Sequence, residues 1–386
     1  MVVTQKGAIL AAEEGTERAI LSFMKQALSQ GCFDAVLIPS RVPTGDSFAY
    51  FLVQNESLLE AASPLSPIMP VQGARAISSL TRGGKGKKRI AAIIRPCEAR
   101  ATIELAKLGQ VDLENTILIT VDCPGVMPLS DYFKGPTKGD EVFKDASQDW
   151  NSKPMRPVCR ICDKFSASGG EDLHIGTLGT SSGNILLIPR GAKGEAILNK
   201  LGIPLEEDIS DWEAGVRSLT EERKKQRKQT EIELRADIEG IDRLAKAFSA
   251  CINCHNCMRV CPICYCQQCN FDSDKMKFTF GDYIARAEAR GSLMVPTDTL
   301  LFHIGRMLHM SLSCVSCGMC EDACPMAIPV AQIFTLVGDR NQEAFDYVPG
   351  RKVDELLPLT TFRDEEFLEV EQSYAGVSAG RERQND

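Results

Sequence analysis

Two short cysteine arrays in the last third of the chain constrain its fold more than any other feature. One has the spacing Cys-x2-Cys-x2-Cys-x3-Cys-Pro and runs from Cys251 to Pro262, and the same spacing recurs from Cys314 to Pro325. The first three cysteines of such an array lie on one tight loop, whereas the fourth points away from it. Each loop therefore needs a thiolate from another part of the chain to complete a four-thiolate site.

The spacing of both arrays is the one with which two-cluster ferredoxins hold 4Fe–4S clusters. In those proteins the fourth cysteine of each array ligates the other cluster. We therefore expect two crossed ligand sets. Zinc is the competing interpretation, but zinc ribbons use two separated Cys-x2-Cys pairs. The predicted sets are Cys251, Cys254, Cys257 with Cys324, and Cys314, Cys317, Cys320 with Cys261.

Cysteine usage and charge indicate the cellular setting. The chain has 386 residues, 16 of them cysteine, and a net charge of −8. Its N-terminus lacks the long apolar stretch of a secretion signal, and no apolar run reaches the roughly 18 residues of a membrane span. Free thiols are typical of a reducing compartment, and an acidic chain does not favour nucleic acid. We expect a cytoplasmic protein of an anaerobe, without direct membrane insertion.

Four further cysteines precede the arrays: Cys97, Cys123 and the pair Cys159 and Cys162. Cys97 and Cys123 each follow a short apolar, strand-like run. Because the carboxyl ends of strands in an open α/β sheet form one ligand crevice, these two cysteines are expected to converge there. The Cys-x2-Cys pair would complete a third four-thiolate site. Four buried structural cysteines are the alternative.

The pattern of apolar residues divides the chain into four parts. Alternating strand-like and helix-like stretches predict an α/β domain at residues 1–204. The charged, proline-free stretch 205–248 indicates a solvated helical linker. Residues 249–340 resemble α-helical ferredoxin domains, with a helix between the arrays that carries His303 and His309 in surface or core roles. Residues 341–386 are predicted to be a docking or disordered tail.

Residues 15 to 200 resemble the beta-subunit family of coenzyme F420 hydrogenases and archaeal formate dehydrogenases. The resemblance rests on the segments Arg95–Arg100, Val121–Cys123, Cys159–Phe165 and Asp172–Gly183. It implies a 4Fe–4S cluster at the four cysteines of this region, with FAD beside it. The chain departs from the family at Glu14–Arg18 and Ser63–Pro67, where flavin or deazaflavin contacts are expected. Coenzyme F420, NAD(P)H and ferredoxin therefore all remain open as electron partners.

The flavin would lie against the glycine-rich stretch, because glycine allows close backbone approach and threonine supplies donors. A hairpin turn is the competing interpretation of that stretch. An arginine near the crevice is a further candidate, for a phosphate or the flavin ring. It could equally make a surface ion pair. The candidate flavin contacts are Arg95, Gly176, Thr177, Gly179, Thr180 and Gly183.

Three cysteines crowd the segment after the first array, namely Cys264, Cys266 and Cys269. They could hold a fourth cluster, offer alternative ligands to the first array, or bind zinc with His255. Cys32 stands alone and is expected in the hydrophobic core.

These features together predict a flavin-containing iron–sulfur electron-transfer subunit of a multi-subunit oxidoreductase, of hydrogenase, formate dehydrogenase or heterodisulfide reductase type. It would hold three 4Fe–4S clusters, or four if the extra cysteines take part, and work with other redox subunits. FAD would convert two-electron into one-electron transfer, so the chemistry would be flavin-centred. The alternative is a flavin-free iron–sulfur wire between two other redox subunits. No hydrolytic constellation stands out.

Overall fold

The computed structural model describes residues 6–11, 15–150, 153–180 and 184–361. Residues 1–353 form one unit and a second unit begins at Asp354. Within the second unit the described residues contain the 3-10 turn Pro358–Thr360. No helix in the described ranges is long and apolar enough to cross a membrane.

A mixed sheet forms the centre of the first part of the chain. In the described residues its eight strands stand in the order β3-β2-β4-β5-β6-β7-β1-β8. Strands β2, β4, β5 and β6 are mutually parallel, whereas β3, β7, β1 and β8 run antiparallel to their neighbours. The predicted α/β fold is therefore confirmed. The strands are β1 (Lys6–Leu10), β2 (Ala35–Arg41), β3 (Phe48–Val53), β4 (Ile90–Ile94), β5 (Thr116–Val121), β6 (Leu173–Gly176), β7 (Ile185–Pro189) and β8 (Glu207–Asp208).

The central parallel strands determine where the chain leaves the sheet. β4 and β5 are short, almost continuously apolar and nearly fully buried, as expected for strands covered on both faces. They pair in register from Ile90 opposite Thr116 to Ile94 opposite Thr120. The residues that follow them, Arg95 and Asp122, therefore leave the sheet side by side at the same edge.

Helices cover both faces of the sheet and continue into the cysteine-rich region. They are α1 (Thr16–Ser29), α2 (Gly73–Thr81), α3 (Pro96–Lys107), α4 (Leu129–Tyr132), α5 (Pro136–Gln148), α6 (Pro157–Arg160), α7 (Ala192–Lys200), α8 (Ser210–Ile238), α9 (Ile241–Ala247), α10 (Asn256–Arg259), α11 (Phe280–Arg290), α12 (Thr299–Met310), α13 (Met319–Asp322) and α14 (Val330–Ala344), with 3-10 turns at Glu56–Ala61, Asn270–Asp272 and Asp274–Met276. Helices α1 and α7 pack on one face, in a core with sheet residues such as Ile38 and Ile93. Helices α2 and α3 pack on the other face.

The core beneath α2 and α3 extends into the cysteine-rich region. It joins Ile94 of the sheet and Ile103 of α3 to Phe302, Met307 and Phe334 of α12 and α14. Burial of apolar area is the main stabilising contribution in folding, so a shared core makes the two regions interdependent. The ferredoxin-like helices are thus fixed against the sheet by packing.

The charged stretch 205–248 is helical, as predicted, but it is not solvated along its whole length. Most of α8 is exposed, yet Trp212 and Arg223 are buried. Arg227 also reaches inward and forms two hydrogen bonds with Asp339 of α14, at 2.7 and 2.6 Å. Charge density alone indicated solvent exposure, whereas these long side chains extend from an exposed backbone into the protein.

The docking or disordered tail was predicted to begin at residue 341, which is too early. Helix α14 continues to Ala344, and the next residues fold back onto α3. The Tyr347 hydroxyl and the Gly350 N–H both donate to Glu104, at 2.5 and 2.7 Å. Glu104 is fully buried, and its Oε1 accepts both hydrogen bonds and lies 3.3 Å from the Lys107 ammonium, which offsets part of the cost of burying the carboxylate. Residues 362–386 of the predicted tail lie outside the described residues.

The α8–α14 contact should contribute measurably to stability. We expect Arg227→Met to lower the free energy of unfolding by about 2 kcal/mol, because a largely buried bidentate pair with Asp339 is lost. Arg235→Met on the same helix removes an exposed ion pair with Glu239 and should change the free energy of unfolding by less than about 0.5 kcal/mol. Urea unfolding followed by tryptophan fluorescence measures both. Equal effects of the two substitutions would contradict a clamping role for Arg227.

Candidate metal centres

A cavity at the carboxyl edge of the sheet brings together four cysteines from three separate segments. Its lining includes Cys97, Cys123, Cys159 and Cys162. We call it the sheet-edge cavity. The structure therefore places side by side the four cysteines that the sequence predicted to converge.

Local backbone geometry positions these thiols. Cys97 lies in the first turn of α3, directly after β4, and Cys123 follows β5 with its N–H bonded to the Phe165 carbonyl at 2.8 Å. Gly125 then has a φ of +114°, and a Cβ there would lie 3.1 Å from the Cβ of Cys159. Only glycine adopts this conformation readily and allows the α6 segment to approach so closely.

Three thiols of the sheet-edge cavity have raised pKa values. Burial is the main reason that the pKa of Cys97 lies well above its usual range and that the pKa of Cys123 rises to about 12. Burial likewise raises the pKa of Cys159. Neighbouring thiolates would repel one another, so a cationic metal core is the partner that favours their ionised form. Metal binding at such thiols releases protons.

The two arrays form two further cavities. The first-array cavity contains three cysteines of the first array and Cys324 from the second. The second-array cavity contains three cysteines of the second array and Cys261 from the first. The crossed sets are thus assembled as predicted from the spacing. The linings include Cys251, Cys254, Cys257 and Cys324 in one, and Cys314, Cys317, Cys320 and Cys261 in the other.

Both array loops contain residues in the left-handed backbone conformation at the same two positions. A left-handed residue stands two positions after the first cysteine of each array, Asn253 and Ser316, with φ of 54° and 57°. A second follows the second cysteine, His255 and Gly318, with φ of 59° and 80°. Successive N–H groups then face a common concavity, a conformation that binds anionic groups. In the first array the Asn253 N–H already points at the Cys251 sulfur, at 3.4 Å.

Shared residues connect the sheet-edge cavity to the second-array cavity. Ser316 and Cys317 line both. Buried arginines from the α/β part hold this loop by its carbonyl groups: Arg100 donates to Val315 at 2.6 Å and Arg156 to Cys317 at 3.2 Å. A Cβ on Gly318 would lie 2.8 Å from Val158, so the loop and α6 are in direct contact.

Among the described residues, no three His, Cys, Asp or Glu side chains are gathered tightly enough for a single metal ion. Four thiolates around one zinc ion must all lie close to its centre, at a Zn–S distance of about 2.3 Å. Thiolates around a cubane stand farther apart, because each binds a different corner of the cluster. The four-thiol donor set of each of the three cavities has the chemistry that a 4Fe–4S cluster needs.

The loop predicted to contact flavin is occupied by protein groups. The N–H groups of Thr177 and Leu178 both donate to Asp122, at 2.8 and 3.1 Å. The indole N–H of Trp212 donates to the same carboxylate, and a Cβ on Gly176 would lie 2.8 Å from that nitrogen. Neither Asp122 nor Trp212 was singled out from the sequence, where nothing connected them.

The remaining predicted flavin residues are placed as follows. The Thr180 hydroxyl donates to the carbonyls of Thr177 and Asn184, and Gly179 faces open space with a φ of +71°. Gly183 lies outside the described residues. Arg95 is buried in the wall of the sheet-edge cavity, where it donates to Ser66 at 2.6 Å. Arg95 is therefore a neighbour of the four cysteines rather than a surface ion pair.

The three extra cysteines have different surroundings. The Cys264 sulfur lies 3.4 Å from the sulfur of Met310, Cys269 lies 3.7 Å from that of Met258, and Cys266 is exposed. Hydrogen bonding with Cys264 lowers the pKa of Cys261, which favours Cys261 as a thiolate ligand. Cys32 is buried in the core between α1 and the sheet, as expected.

Helix α12 places two polar groups beside the cysteines: His303, which was predicted in a surface or core role, and Arg306, which sequence analysis did not identify. His303 Nε2 lies 3.4 Å from the Cys251 sulfur, and burial is the main cause that lowers the pKa of His303 to about 3. Arg306, one turn further, donates to the Cys257 sulfur at 3.1 Å. Both side chains lie on the buried face of α12 with Phe302. A charged residue among the apolar residues of that face is the sequence feature that could have pointed to Arg306.

Comparison with known proteins identifies a cluster-binding domain and similar proteins. Residues 247–328 match the family model of the 4Fe-4S dicluster domain. The F420-dependent formate dehydrogenase subunit beta of Methanocaldococcus jannaschii is 27% identical over 390 residues, which is 92% of this chain and 96% of that relative. The F420-dependent formate dehydrogenase 1 subunit beta of Methanococcus maripaludis is 27% identical over 387 residues, 88% of this chain and 92% of that relative.

A solved structure also resembles the chain. It is a chain from the F420-reducing [NiFe] hydrogenase complex of Methanosarcina barkeri, at 15% identity and a TM-score of 0.44, covering 62% of this chain and 94% of that chain. The resemblance to beta subunits that the sequence indicated is thus confirmed by the curated relatives. This chain is a homologue of F420-dependent formate dehydrogenase beta subunits and carries a 4Fe-4S dicluster domain at residues 247–328.

Proposed function

We propose that this chain is an iron–sulfur electron-transfer subunit of an oxidoreductase complex and holds three 4Fe–4S clusters, one in each four-cysteine cavity. The observation that carries the proposal is the convergence of twelve cysteines into three sets of four. Two of these sets lie in the matched dicluster domain, and the third is built on the sheet edge. Bound clusters of this type accept and release electrons one at a time.

The protein's own residues would hold these groups and shield them from water. Burial of the thiols lowers the local dielectric constant, and the potential of a bound cluster depends on that burial and on hydrogen bonds to sulfur. The three cavities adjoin in series. Cys317 lines both the sheet-edge and second-array cavities, and Arg306 joins the second-array cavity to Cys257 of the first. This series supports a conducting role rather than three isolated structural sites.

The relatives' names suggest the partners. Both curated relatives are subunits of F420-dependent formate dehydrogenases. We propose that this chain likewise works with a catalytic subunit in the cytoplasm of an anaerobe. A partner subunit would exchange the two-electron hydride with coenzyme F420, and this chain would carry the electrons one at a time. Assays of the purified complex should test NAD(P)H and ferredoxin as electron partners as well as F420.

FAD does not fit the described part of its predicted loop. The N–H groups of Thr177 and Leu178 are committed to Asp122, and Trp212 covers Gly176. The chain would therefore conduct electrons without flavin. It would not carry out the two-electron to one-electron conversion that the resemblance implied.

Iron content tests the cluster assignment. Anaerobically purified protein should be brown and contain about twelve iron atoms per chain, since three clusters hold four each. The double substitution Cys97→Ala and Cys123→Ala removes two ligands of the sheet-edge cavity, and iron should fall to about eight. Iron and acid-labile sulfide assays measure both.

The matched control is Cys266→Ala, which removes an exposed cysteine outside all three cavities. Its iron content should equal that of the unaltered chain. A colourless protein, or zinc in place of iron, would contradict the proposed function. Iron near twelve in the double variant would contradict only the assignment of the sheet-edge cavity.

Flavin content tests the flavin-free form separately. Acid release followed by fluorescence should detect far less than one flavin per chain, because the donors of the predicted loop are already bonded to Asp122. A control protein with known flavin content calibrates recovery. One flavin per chain would contradict the flavin-free form and leave the three-cluster assignment intact.

A further inference from the structure

Arg306 is a buried cation placed between two of the proposed clusters. Its side chain is 2% exposed and projects from α12 into the core of the cysteine-rich region. It lines the second-array cavity, where its neighbours include Cys261, Cys314 and Cys320. At the same time it reaches the first-array cavity through Cys257.

The contacts of Arg306 fix its guanidinium group in this position. One nitrogen donates to the Cys257 sulfur at 3.1 Å, and another donates to the Cys257 carbonyl at 3.1 Å. The group also lies over the ring of Phe334, with 4.7 Å between its carbon and the ring centroid. Its Nε has no hydrogen-bond partner and is buried.

The anionic neighbours of Arg306 are sulfur atoms. Within the described chain no carboxylate lies at ion-pair distance from it. Instead the thiols of Cys257, Cys261 and Cys320 lie around it, and these become anionic when they bind a metal core. A guanidinium without a carboxylate partner is costly to bury unless another negative charge compensates it. A four-thiolate cluster site would supply that charge from two sides.

We propose that Arg306 is the shared counter-ion of the clusters in the first-array and second-array cavities and raises the reduction potential of both. The inference rests on the proposed function, because it requires those cavities to hold clusters. Adding an electron makes a cluster site more negative, and a fixed nearby cation stabilises that state. Because the surroundings are dry, the effect is screened less than at the surface. The sheet-edge cluster does not contact Arg306.

Reduction potentials measured by redox titration with electron paramagnetic resonance detection test this role. Arg306→Gln keeps an N–H donor and removes the charge. We expect at least a tenfold fall in the reduction equilibrium constant of two clusters, about 59 mV for a one-electron couple. The third potential should stay unchanged. Arg306→Lys keeps the charge and should move the two potentials less.

Arg340→Gln is the matched control, because it removes an exposed arginine of α14 that pairs with Glu231. It should leave all three potentials unchanged. Loss of iron in Arg306→Gln, with full iron in Arg306→Lys, would also support a counter-ion. Unchanged potentials in Arg306→Gln, equal shifts of all three, or loss of iron in both Arg306 variants would overturn the inference. In each of those cases the proposed function is not contradicted if the unaltered chain is brown and contains about twelve iron atoms.

Discussion

The structure depends on a single constraint: buried thiols from distant segments must be held together although their ionised forms repel one another. Burial is the main cause that raises the pKa of Cys317 to about 12 and that of Cys314 to about 11, and neighbouring thiolates contribute to the rise. Such groups are stable neighbours either as neutral thiols or as ligands of a cationic core. The crossed arrangement of the arrays makes each cavity depend on both loops, so neither site can form without the other.

The fold meets this constraint by fixing loops to rigid elements. Two adjacent parallel strands end in register and deliver Cys97 and Cys123 to one edge. Arginines of the α/β part bind the carbonyls of the second-array loop, and a continuous hydrophobic core extends from the sheet to α12 and α14. The sheet-edge and second-array cavities consequently share a wall. Cations lie at the cavities as well, Arg95 and Arg223 at the sheet edge and Arg306 between the arrays.

Much of this could be predicted from sequence because it is encoded locally. Cysteine spacing specified the array loops and their crossed sets, and the alternation of strand-like and helix-like stretches specified the α/β domain. Contacts between distant residues were not encoded in this way. Nothing in the sequence connects Asp122 to Trp212, or Glu104 to Tyr347, although these pairs close the predicted flavin loop and order the predicted tail. Arg306 lay on an apolar helical stripe, yet only the fold shows that two cavities meet there.

The most direct test of the account is the position of iron in an anaerobically grown crystal, measured by anomalous diffraction at the iron absorption edge. The account predicts three iron sites per chain, one enclosed by each set of four cysteines, with Cys261 bound beside the second-array loop and Cys324 beside the first. Iron bound by all four cysteines of a single array, disulfides in place of iron, or an anomalous signal at the zinc edge alone would contradict it.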